Sequence, residues 1–409
     1  MVPSTDPIVH AAEPRPAPTR VMFVLGSLAG GGAERVVAHL VKHMSRDEFD
    51  PRVGLLWRHG PYVRDFAESD LVVPDLMHGR IPYRDQPPWW RLIPSLAIVP
   101  LQQRQVFRRF QPHIVVTVTK AMNLAARASL AMTGGRPIAW VVREGNNTSA
   151  MIDSESRGPL ERRLQNSMVR ACYRRADRVI AISDGVGASL ARRFQIDPAR
   201  VRTIHNAVDL AEVQRRASEP IAIPVDRPFI VAAGRLVHQK GFDLLIRAYA
   251  ERLGQRGVAL VILGEGPERT NLEQLARDCS VGDAVHLPGF VDNPWAYFAR
   301  ASMFVCASRW EGFGNVIVEA MASGTPVVAA DCDFGPREIV QHEKTGLLVP
   351  VEQADRLGRA MASLLDDPSL ASVLSAAGRR RALDFDVRQM TRAYEAVFRE
   401  LKPKSDLRS

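Results

Sequence analysis

Two cations stand close together in the sequence at a point where a ligand could reach them. Arg235 and Lys240 lie in the segment 234–243, directly after an apolar run, Phe229–Ala233, that predicts a buried strand. Loops at the carboxyl ends of parallel strands are where such sheets bind ligands. A guanidinium fork and an ammonium point charge together suit a diphosphate. We therefore predict an anion site in this loop; ordinary surface charge is the alternative interpretation.

A second segment places carboxylates beside backbone donors. Glu311 follows the predicted strand Met303–Cys306, and Asn315 begins a predicted helix that ends at Gly324. Glu319, one turn into that helix, points the same way as Asn315. Because a carboxylate repels phosphate, we expect both glutamates to accept hydrogen bonds from hydroxyls beside it, as a nucleotide-sugar offers. The amides that would face the anion, with the helix dipole, are those of Phe313, Gly314 and Asn315.

A third loop is rich in glycine. Residues 30–32 are glycines between a predicted strand, 21–25, and a predicted helix, 33–44. Such a loop lets the backbone approach a ligand, and the helix N-terminus aims N–H groups at an anion. The spacing matches neither the Gly-x-Gly-x-x-Gly fingerprint nor a Walker loop. Gly31 and Gly32 are thus candidate ligand contacts, and a tight structural turn is the alternative.

The elements that must position these loops alternate between strand and helix in both halves of the chain. This alternation predicts an α/β fold with two parallel sheets, each covered by helices on both faces. A break at residues 210–228 divides the halves, so we expect a hinge near residue 215 and a ligand in the cleft between the domains. The predicted strands are 21–25, 53–57, 114–118, 138–142, 179–182, 201–204, Phe229–Ala233, 260–263, 285–287, Met303–Cys306 and Val327–Ala330.

Length and composition agree with two globular domains. The chain has 409 residues, 46% of them hydrophobic and 24% charged, which excludes a disordered, collagen-like or coiled-coil chain. Four dispersed cysteines argue against a disulfide scaffold or a zinc module and fit a reducing cytoplasm. We expect no metal and no cofactor. Residues 1–19, with no apolar core of a signal peptide, are predicted to be a disordered tail.

The positive charge is unevenly distributed. Residues 1–220 carry 31 Lys and Arg against 21 Asp and Glu, whereas the rest of the chain is close to neutral. Within the segment 80–110, arginines alternate with aromatic and apolar residues such as Trp89 and Phe107. This pattern predicts contact with the anionic surface of the cytoplasmic membrane; a solvated basic face over buried aromatics is the alternative. No nucleic-acid partner is expected, because no recognition module accompanies the charge.

Several motifs together resemble the retaining glycosyltransferases of family 4, over roughly residues 20–400. A further motif, Gly-Pro-Arg-Glu-Ile-Val at 335–340, resembles members that build bacterial surface polysaccharides and lipid-linked oligosaccharides. The motifs that share the family's order and spacing are Gly-Gly-Gly-Ala-Glu at 30–34, His-Asn-Ala-Val-Asp at 205–209, Gly234-Arg235 with Lys240-Gly241, Leu-Gly-Glu-Gly-Pro at 263–267, Gly-Phe-Val at 289–291, and the segment from Glu311 to Glu319.

The resemblance implies the GT-B architecture, with an N-terminal acceptor domain at 20–215, a nucleotide-sugar domain at 216–386 and a C-terminal helix within 387–409 that crosses back. It implies transfer without a metal. Arg235 and Lys240 would neutralise the donor diphosphate, Glu311 would hold the sugar and Glu319 the ribose. The amides of the 313–315 loop would contact sugar and phosphate. The remaining donor contacts it implies are Gly31 and Gly32 at the diphosphate, and Gly264, Gly266 and Phe290 near the base.

One loop departs from the family. Many relatives have a histidine after the fourth strand of the first domain, where this chain has Arg143 and Glu144. Either residue is a candidate on the acceptor side, and an ordinary ion pair is the alternative.

The function we expect is a retaining transfer of a sugar, from a UDP-sugar rather than a GDP-sugar, to a membrane-associated glycan. For retention, the departing phosphate oxygen would act as the base, and Glu311 would orient the sugar rather than attack it. The alternatives are the same chemistry on a soluble acceptor and a catalytically silent nucleotide-sugar-binding partner. A dehydrogenase is a more distant third.

Overall fold

The structure, a computed structural model, describes residues 17–28, 32–73, 93–133, 137–221 and 227–401. Residue 31, residues 80–92 of the predicted membrane segment and the first 16 residues of the predicted tail lie outside these ranges. Thr19, the last residue of that predicted tail, already belongs to a strand.

The N-terminal lobe contains a seven-stranded parallel sheet in the order β3-β2-β1-β4-β5-β6-β7. Its strands are β1 Thr19–Leu25, β2 Phe49–Leu55, β3 Leu71–Val72, β4 Ile114–Thr117, β5 Ala139–Glu144, β6 Arg178–Ala181 and β7 Val201–Thr203. The helices between them are α1 Gly32–His43, α2 Ile93–Phe110, α3 Lys120–Ala131, α4 Thr148–Glu155, α5 Pro159–Tyr173 and α6 Asp184–Phe194.

The C-terminal lobe repeats this plan with six parallel strands in the order β10-β9-β8-β11-β12-β13. Its strands are β8 Phe229–Ala233, β9 Ala259–Leu263, β10 Val285–Gly289, β11 Met303–Cys306, β12 Val327–Ala330 and β13 Leu347–Val349. The helices that accompany them are α7 Leu210–Ala217, α8 Phe242–Arg252, α9 Arg269–Asp278, α10 Pro294–Phe298, α11 Asn315–Ala322, α12 Pro336–Ile339, α13 Ala354–Asp366 and α14 Pro368–Ala382; α15 Val387–Leu401 follows.

Each sheet is buried on both faces, as strands without polar alternation require. In β1, Phe23 packs on the side of α1, whereas the next residue, Val24, packs on the side of α2, α3 and α5. The C-terminal sheet divides in the same way: Val231 lies in one core cluster and Ile230 in the other. The prediction of two α/β domains with covered parallel sheets is therefore confirmed.

Two strands were absent from the sequence prediction, and one helix occupies the predicted break. β3 and β13 have two and three residues, which is too short for a run of apolar residues to distinguish them from a loop. The predicted hinge near residue 215 falls within α7, whose Leu210 and Val213 are buried in a core cluster of the C-terminal lobe. The domain boundaries at 215 and 386 remain predictions.

The last helix returns to the first lobe. In α15, Val387, Met390 and Phe398 are buried in the cluster that β1 and α1 form. The ring of Phe398 lies 6.3 Å from that of Phe23 and 6.1 Å from that of Phe49. The chain therefore crosses between the lobes twice. No helix within the described ranges combines the length and the apolar composition that a bilayer crossing needs.

Replacing Phe398 with Ala should destabilise the N-terminal lobe although the residue lies near the end of the chain. Loss of this ring from a closed core costs about 3–5 kcal/mol, which denaturant unfolding measures. Arg392→Ala, at an exposed position of the same helix, is the matched control. Equal stability of the two variants would show that α15 does not belong to the N-terminal core.

Candidate active site between the two lobes

The order of the strands brings the predicted loops to one place. In the C-terminal sheet, the strand order reverses direction between the neighbours β8 and β11, and in the N-terminal sheet between β1 and β4. Crevices at the carboxyl ends of such neighbours are the ligand sites of open α/β sheets. The loop after β8 contains Arg235 and Lys240, the loop after β11 contains Glu311, and the glycine loop follows β1.

Lys240 and Glu311 form a buried ion pair across the two C-terminal loops. The Lys240 Nζ lies 2.5 Å from Glu311 Oε1, and the Ser308 hydroxyl donates to the same carboxylate oxygen at 2.8 Å. Burial is the largest influence on the pKa of Lys240 and lowers it, but the attraction to Glu311 and to Cys306 and the hydrogen bond to Glu311 together outweigh burial, so the pKa lies above its usual value. The lysine is therefore held as a cation at neutral pH.

Surrounding contacts fix both loops. Arg309, beside Glu311, donates to the two carboxylate oxygens of Asp243 at 2.9 and 2.8 Å. The Gln239 amide donates to the Trp310 carbonyl at 2.9 Å. Gly241 has φ +62°, and a Cβ there would collide with the Ala307 carbonyl. Hydrogen bonds and an ion pair therefore hold the two loops together, and the side chains that form them were not among the predicted site residues.

Arg235 differs from Lys240 in exposure and pairing. Its side chain is exposed and forms no ion pair with any other residue in the described ranges. Its charge acts on Lys240, whose pKa it lowers slightly against the larger effects of burial and Glu311. The structure therefore offers one cation that is already paired and one that is free to bind an anion.

The residues predicted to lie near the nucleotide base follow the neighbouring strands β9 and β10. Gly264 has φ +140°, and a Cβ would collide with the Gly234 carbonyl; a Cβ on Gly266 would collide with that of Leu236. These glycines are therefore required by the close approach of the two loops, whether or not a ligand is bound. Phe290 follows β10 with 74% of its surface exposed, so its ring is available for stacking.

Glu319 connects the lobes. One carboxylate oxygen lies 2.5 Å from the Arg35 guanidinium of α1, and the other accepts the Trp295 indole N–H at 3.0 Å. Attraction to Glu319 raises the pKa of Arg35, and Glu319 is only 1% exposed. Sequence reasoning missed Arg35 and Trp295. For Arg35, the signal available was its place immediately after the glycine loop.

The N-termini of α1 and α11 meet at this cleft. A Cβ on Gly32 would lie 3.7 Å from the Asn315 side-chain amide nitrogen, and Asn315 Oδ1 is buried without a hydrogen-bond partner. Gly314 turns the chain into α11 with φ +103°, and Phe313 is buried beneath it. The amides of the 313–315 loop and of α1 thus belong to one crevice. Gly31 lies outside the described residues.

Arg143 and Glu144 are both buried, and the predicted alternative of an ordinary ion pair is wrong. Arg143 is hydrogen bonded to the Tyr394 hydroxyl and the Asn206 amide oxygen, at 3.0 and 2.5 Å. Glu144 accepts from the Tyr173 hydroxyl at 2.6 Å, and burial raises its pKa. Neither pairs with an opposite charge in the described part of the chain. Both residues brace the loop, which reaches the C-terminal lobe: a Cβ on Gly312 would lie 2.9 Å from Asn146 Cα.

A second contact between the lobes involves Glu338 of α12. It accepts the amide hydrogens of Asp184 and Gly185, at 2.8 and 2.9 Å, at the start of α6, and lies 2.9 Å from His205 Nε2. Burial would raise the pKa of Glu338, but these hydrogen bonds hold it below its usual range.

Two family models match adjacent segments of the chain. The family described as "Glycosyltransferase Family 4" matches residues 30–212, and that described as "Glycosyl transferases group 1" matches residues 213–381. A Campylobacter jejuni N-acetylgalactosaminyltransferase acting on N-acetylgalactosamine-N,N'-diacetylbacillosaminyl-diphospho-undecaprenol is 33% identical over 61% of this chain and 69% of its own length. The chain belongs to glycosyltransferase family 4.

Other relatives of the glycosyltransferase cover almost its whole length. The lipopolysaccharide core biosynthesis glycosyltransferase LpsE of Rhizobium meliloti is 28% identical over 89% of the chain and 94% of its own. Among solved structures, Anabaena HepE in complex with UDP and glucose superposes with a TM-score of 0.72 at 20% identity, over 93% of this chain and 99% of that one. The GT-B fold predicted from the motifs is thereby confirmed.

Two groups of side chains in the described parts of the glycosyltransferase have the composition of a metal site. They are His39, His43 and Asp209, and Asp184, His205 and Glu338. In the first, Asp209 caps α7 and lies 3.7 Å from Lys42; in the second, Glu338 already accepts three hydrogen bonds. Neither group includes Arg235, Lys240 or Glu311.

A double-mutant cycle should show that Lys240 and Glu311 stabilise the glycosyltransferase as a pair. Lys240→Met or Glu311→Gln alone leaves an unpaired polar group in a buried site and should cost about 3 kcal/mol. The double variant should lose clearly less than the sum of the two, which denaturant unfolding would measure. Arg277→Met, on the exposed side of α9, controls for loss of a surface charge. Strict additivity would contradict the pairing.

Proposed function

We propose that the protein transfers a sugar, with retention of anomeric configuration and without a metal, from a nucleotide-diphosphate-sugar to a lipid-linked or lipopolysaccharide-type glycan. The observation that supports this most directly is the convergence of Arg235, Lys240, Glu311 and the α11 N-terminus at one crevice between the lobes. We favour a UDP-sugar over a GDP-sugar.

The charge that develops in the reaction suits these groups. Breaking the anomeric C–O bond places a second negative charge on the nucleotide diphosphate and positive charge on the sugar. Arg235, exposed and unpaired within the described chain, takes the diphosphate oxygens through its fork. Lys240 and the amides at the start of α11 supply fixed positive charge without reorganisation during the reaction.

Glu311 orients the donor sugar in this scheme. One of its carboxylate oxygens is occupied by Lys240 and Ser308, and the other remains to accept hydrogen bonds from sugar hydroxyls. Its ion pair with Lys240 fixes the carboxylate beside the sugar, where its negative charge also stabilises positive charge. We assign it this electrostatic role and not that of a nucleophile.

Glu319 is assigned to the ribose, provided that its present hydrogen-bond partners can make room for the ribose hydroxyls. Both of its oxygens already have a partner, Arg35 and Trp295, and the side chain is buried. Ribose hydroxyls can use the remaining lone pairs only if Arg35 moves or the lobes separate. Nucleotide binding is therefore expected to change the contact between α1 and α11.

Retention follows if the acceptor hydroxyl attacks from the face that the diphosphate leaves, with a departing phosphate oxygen as the base. The loop from Arg143 to Asn147 borders the Glu311 loop directly at Gly312 and Asn146. It is therefore in position to line the acceptor side. Its buried side chains, Arg143 and Glu144, shape the loop from below.

The acceptor class is drawn from the relatives. The Campylobacter protein is named for an undecaprenol-diphosphate-linked acceptor and the Rhizobium protein for the lipopolysaccharide core. We propose an acceptor of this kind for this chain as well, and a location at the cytoplasmic face of the membrane, where such an acceptor would be presented.

Arg235→Ala and Glu311→Gln should each lower kcat by about 10²–10³, the cost of losing one electrostatic contact to the transition state. Arg235→Ala should leave the melting temperature unchanged, because its side chain is exposed and unpaired within the described chain. Thermal shifts with a panel of UDP- and GDP-sugars identify the donor, and the anomeric NMR coupling of the product reports its configuration. Arg277→Ala is the control.

Near-normal turnover in both variants would refute the assignment of the site. Binding of nucleotide-sugars with no transfer, and no hydrolysis without an acceptor, would indicate a catalytically silent partner. An inverted product would overturn retention alone. Efficient transfer to a water-soluble glycan, with none to a lipid-linked one, would favour the soluble acceptor.

A further inference from the structure

Helix α5 presents an apolar stripe to solvent. Leu160, Leu164 and Met168 are spaced four residues apart, on one side of the helix, and are 82%, 60% and 45% exposed. The opposite side holds the helix on the lobe through Val169 and Tyr173, which are buried. Large apolar side chains exposed singly are ordinary, but an aligned set indicates an interaction surface.

Two neighbouring helices also expose large apolar side chains. α3 lies between α2 and α5, and its Lys120 donates to Gln165 of α5 at 2.8 Å. Leu101 of α2 is 48% exposed and Met132, just beyond α3, is 36% exposed. All the large apolar side chains that are exposed in the described part of the N-terminal lobe belong to, or directly follow, the helices α2, α3 and α5, which cover the same side of its sheet. We call this side the α5 face and define it by Leu101, Met132, Leu160, Leu164 and Met168.

Arginines surround the apolar stripe. Five of them are exposed on α5 or next to its ends: Arg157, Arg162, Arg163, Arg174 and Arg175. Arg162 lies 3.5 Å from Asp153. The side chains of Arg163, Arg174 and Arg175 form no ion pair with another described residue. The helix therefore combines an apolar ridge with uncompensated positive charge, the composition of an element that lies in a lipid interface.

This location differs from the one predicted from the sequence. Of the segment 80–110, residues 80–92 lie outside the described ranges. Within α2, Val106 and Phe107 are each only 2% exposed and pack in the core, so their interpretation as lipid-facing residues is wrong. Leu101 and Arg108 remain on the surface and belong to the side of the lobe that also bears α5.

We propose that the α5 face docks on an anionic bilayer surface, with the apolar ridge at the acyl boundary and the arginines among the lipid headgroups. This inference rests on the proposed function, because it assigns the surface that would bring the cleft to a lipid-linked acceptor. Charge complementarity argues for lipid as the occupant: Arg163, Arg174 and Arg175 have no ion-pair partner among the described residues, and an anionic leaflet supplies negative headgroups beside the acyl boundary that would take the apolar ridge.

Vesicle flotation with the full chain tests this assignment. The protein should float with phosphatidylcholine vesicles that contain phosphatidylglycerol, and much less with phosphatidylcholine alone. The variant Leu160→Gln/Leu164→Gln/Met168→Gln should bind about tenfold more weakly or worse, since the three apolar side chains that would enter the acyl boundary are lost. The variant Arg163→Glu/Arg174→Glu/Arg175→Glu should also lose binding, by about fivefold or more per arginine.

Matched controls come from the C-terminal lobe. Val373→Gln removes an apolar side chain that is 61% exposed on α14, and Arg380→Glu reverses an exposed charge there; both should float like the unmodified protein. Because all the substituted side chains are exposed, melting temperatures should stay the same. Undiminished flotation of the triple glutamine variant, or no flotation of the unmodified chain, would overturn the proposal. A dimer that this variant converts to a monomer would also overturn it, in favour of a second copy as the occupant.

Transfer to a water-soluble acceptor separates this proposal from the proposed function. If the α5-face variants transfer sugar normally to a short soluble acceptor but lose transfer to a vesicle-embedded one, both proposals stand. If the unmodified chain floats but transfers nothing, the proposed function fails alone. If it transfers but does not float, the α5 face fails alone.

Discussion

A cation and an anion taken out of water must match each other closely, and the C-terminal lobe is built around one such pair. Lys240 and Glu311 come from loops that follow neighbouring strands, so only the pairing of β8 with β11 brings them together. Desolvation alone would favour a neutral lysine, and the carboxylate is the main contributor to the effects that together reverse this. Ser308 and the bidentate contact of Arg309 with Asp243 then hold the loops in one geometry. The result is a site whose charges are oriented before any ligand arrives, which is the condition for electrostatic catalysis.

Two buried or half-buried carboxylates also make contacts between the lobes. Glu319 bridges Arg35 and Trp295, and Glu338 bridges His205 and the N-terminus of α6. Each carboxylate belongs to the C-terminal lobe and accepts hydrogen bonds from the N-terminal one, and separation of the lobes would expose these hydrogen bonds to water. Exchange of these partners for water is inexpensive compared with loss of apolar contact.

The N-terminal lobe has two differently used sides. Helices α1 and α15 cover one side of its sheet, and α15 is the helix that returns from the C-terminal lobe. Helices α2, α3 and α5 cover the other side. The proposed site lies at the strand ends, and the proposed lipid contact lies on a helix layer beside them. This separation would allow the protein to rest on a surface without blocking its own cleft.

Much of this could be predicted from the sequence, because the relevant signals are local. Runs such as Phe229–Ala233 and Met303–Cys306 were predicted with the bounds that the structure has, since a strand buried on both faces leaves an uninterrupted apolar run. The loops that hold Arg235, Lys240 and Glu311, and the helix that holds Glu319, followed from their place after such runs. Only the tertiary structure decided which side chains meet across long stretches of chain. Arg35 pairs with Glu319, and Arg143 contacts Tyr394 instead of an acid. Phe107 lies in the core, whereas Leu160 and Leu164 are exposed. Residue type fixes what a group can bind, but which partner it finds depends on strand order and helix rotation, and these are set by the packing of the whole chain.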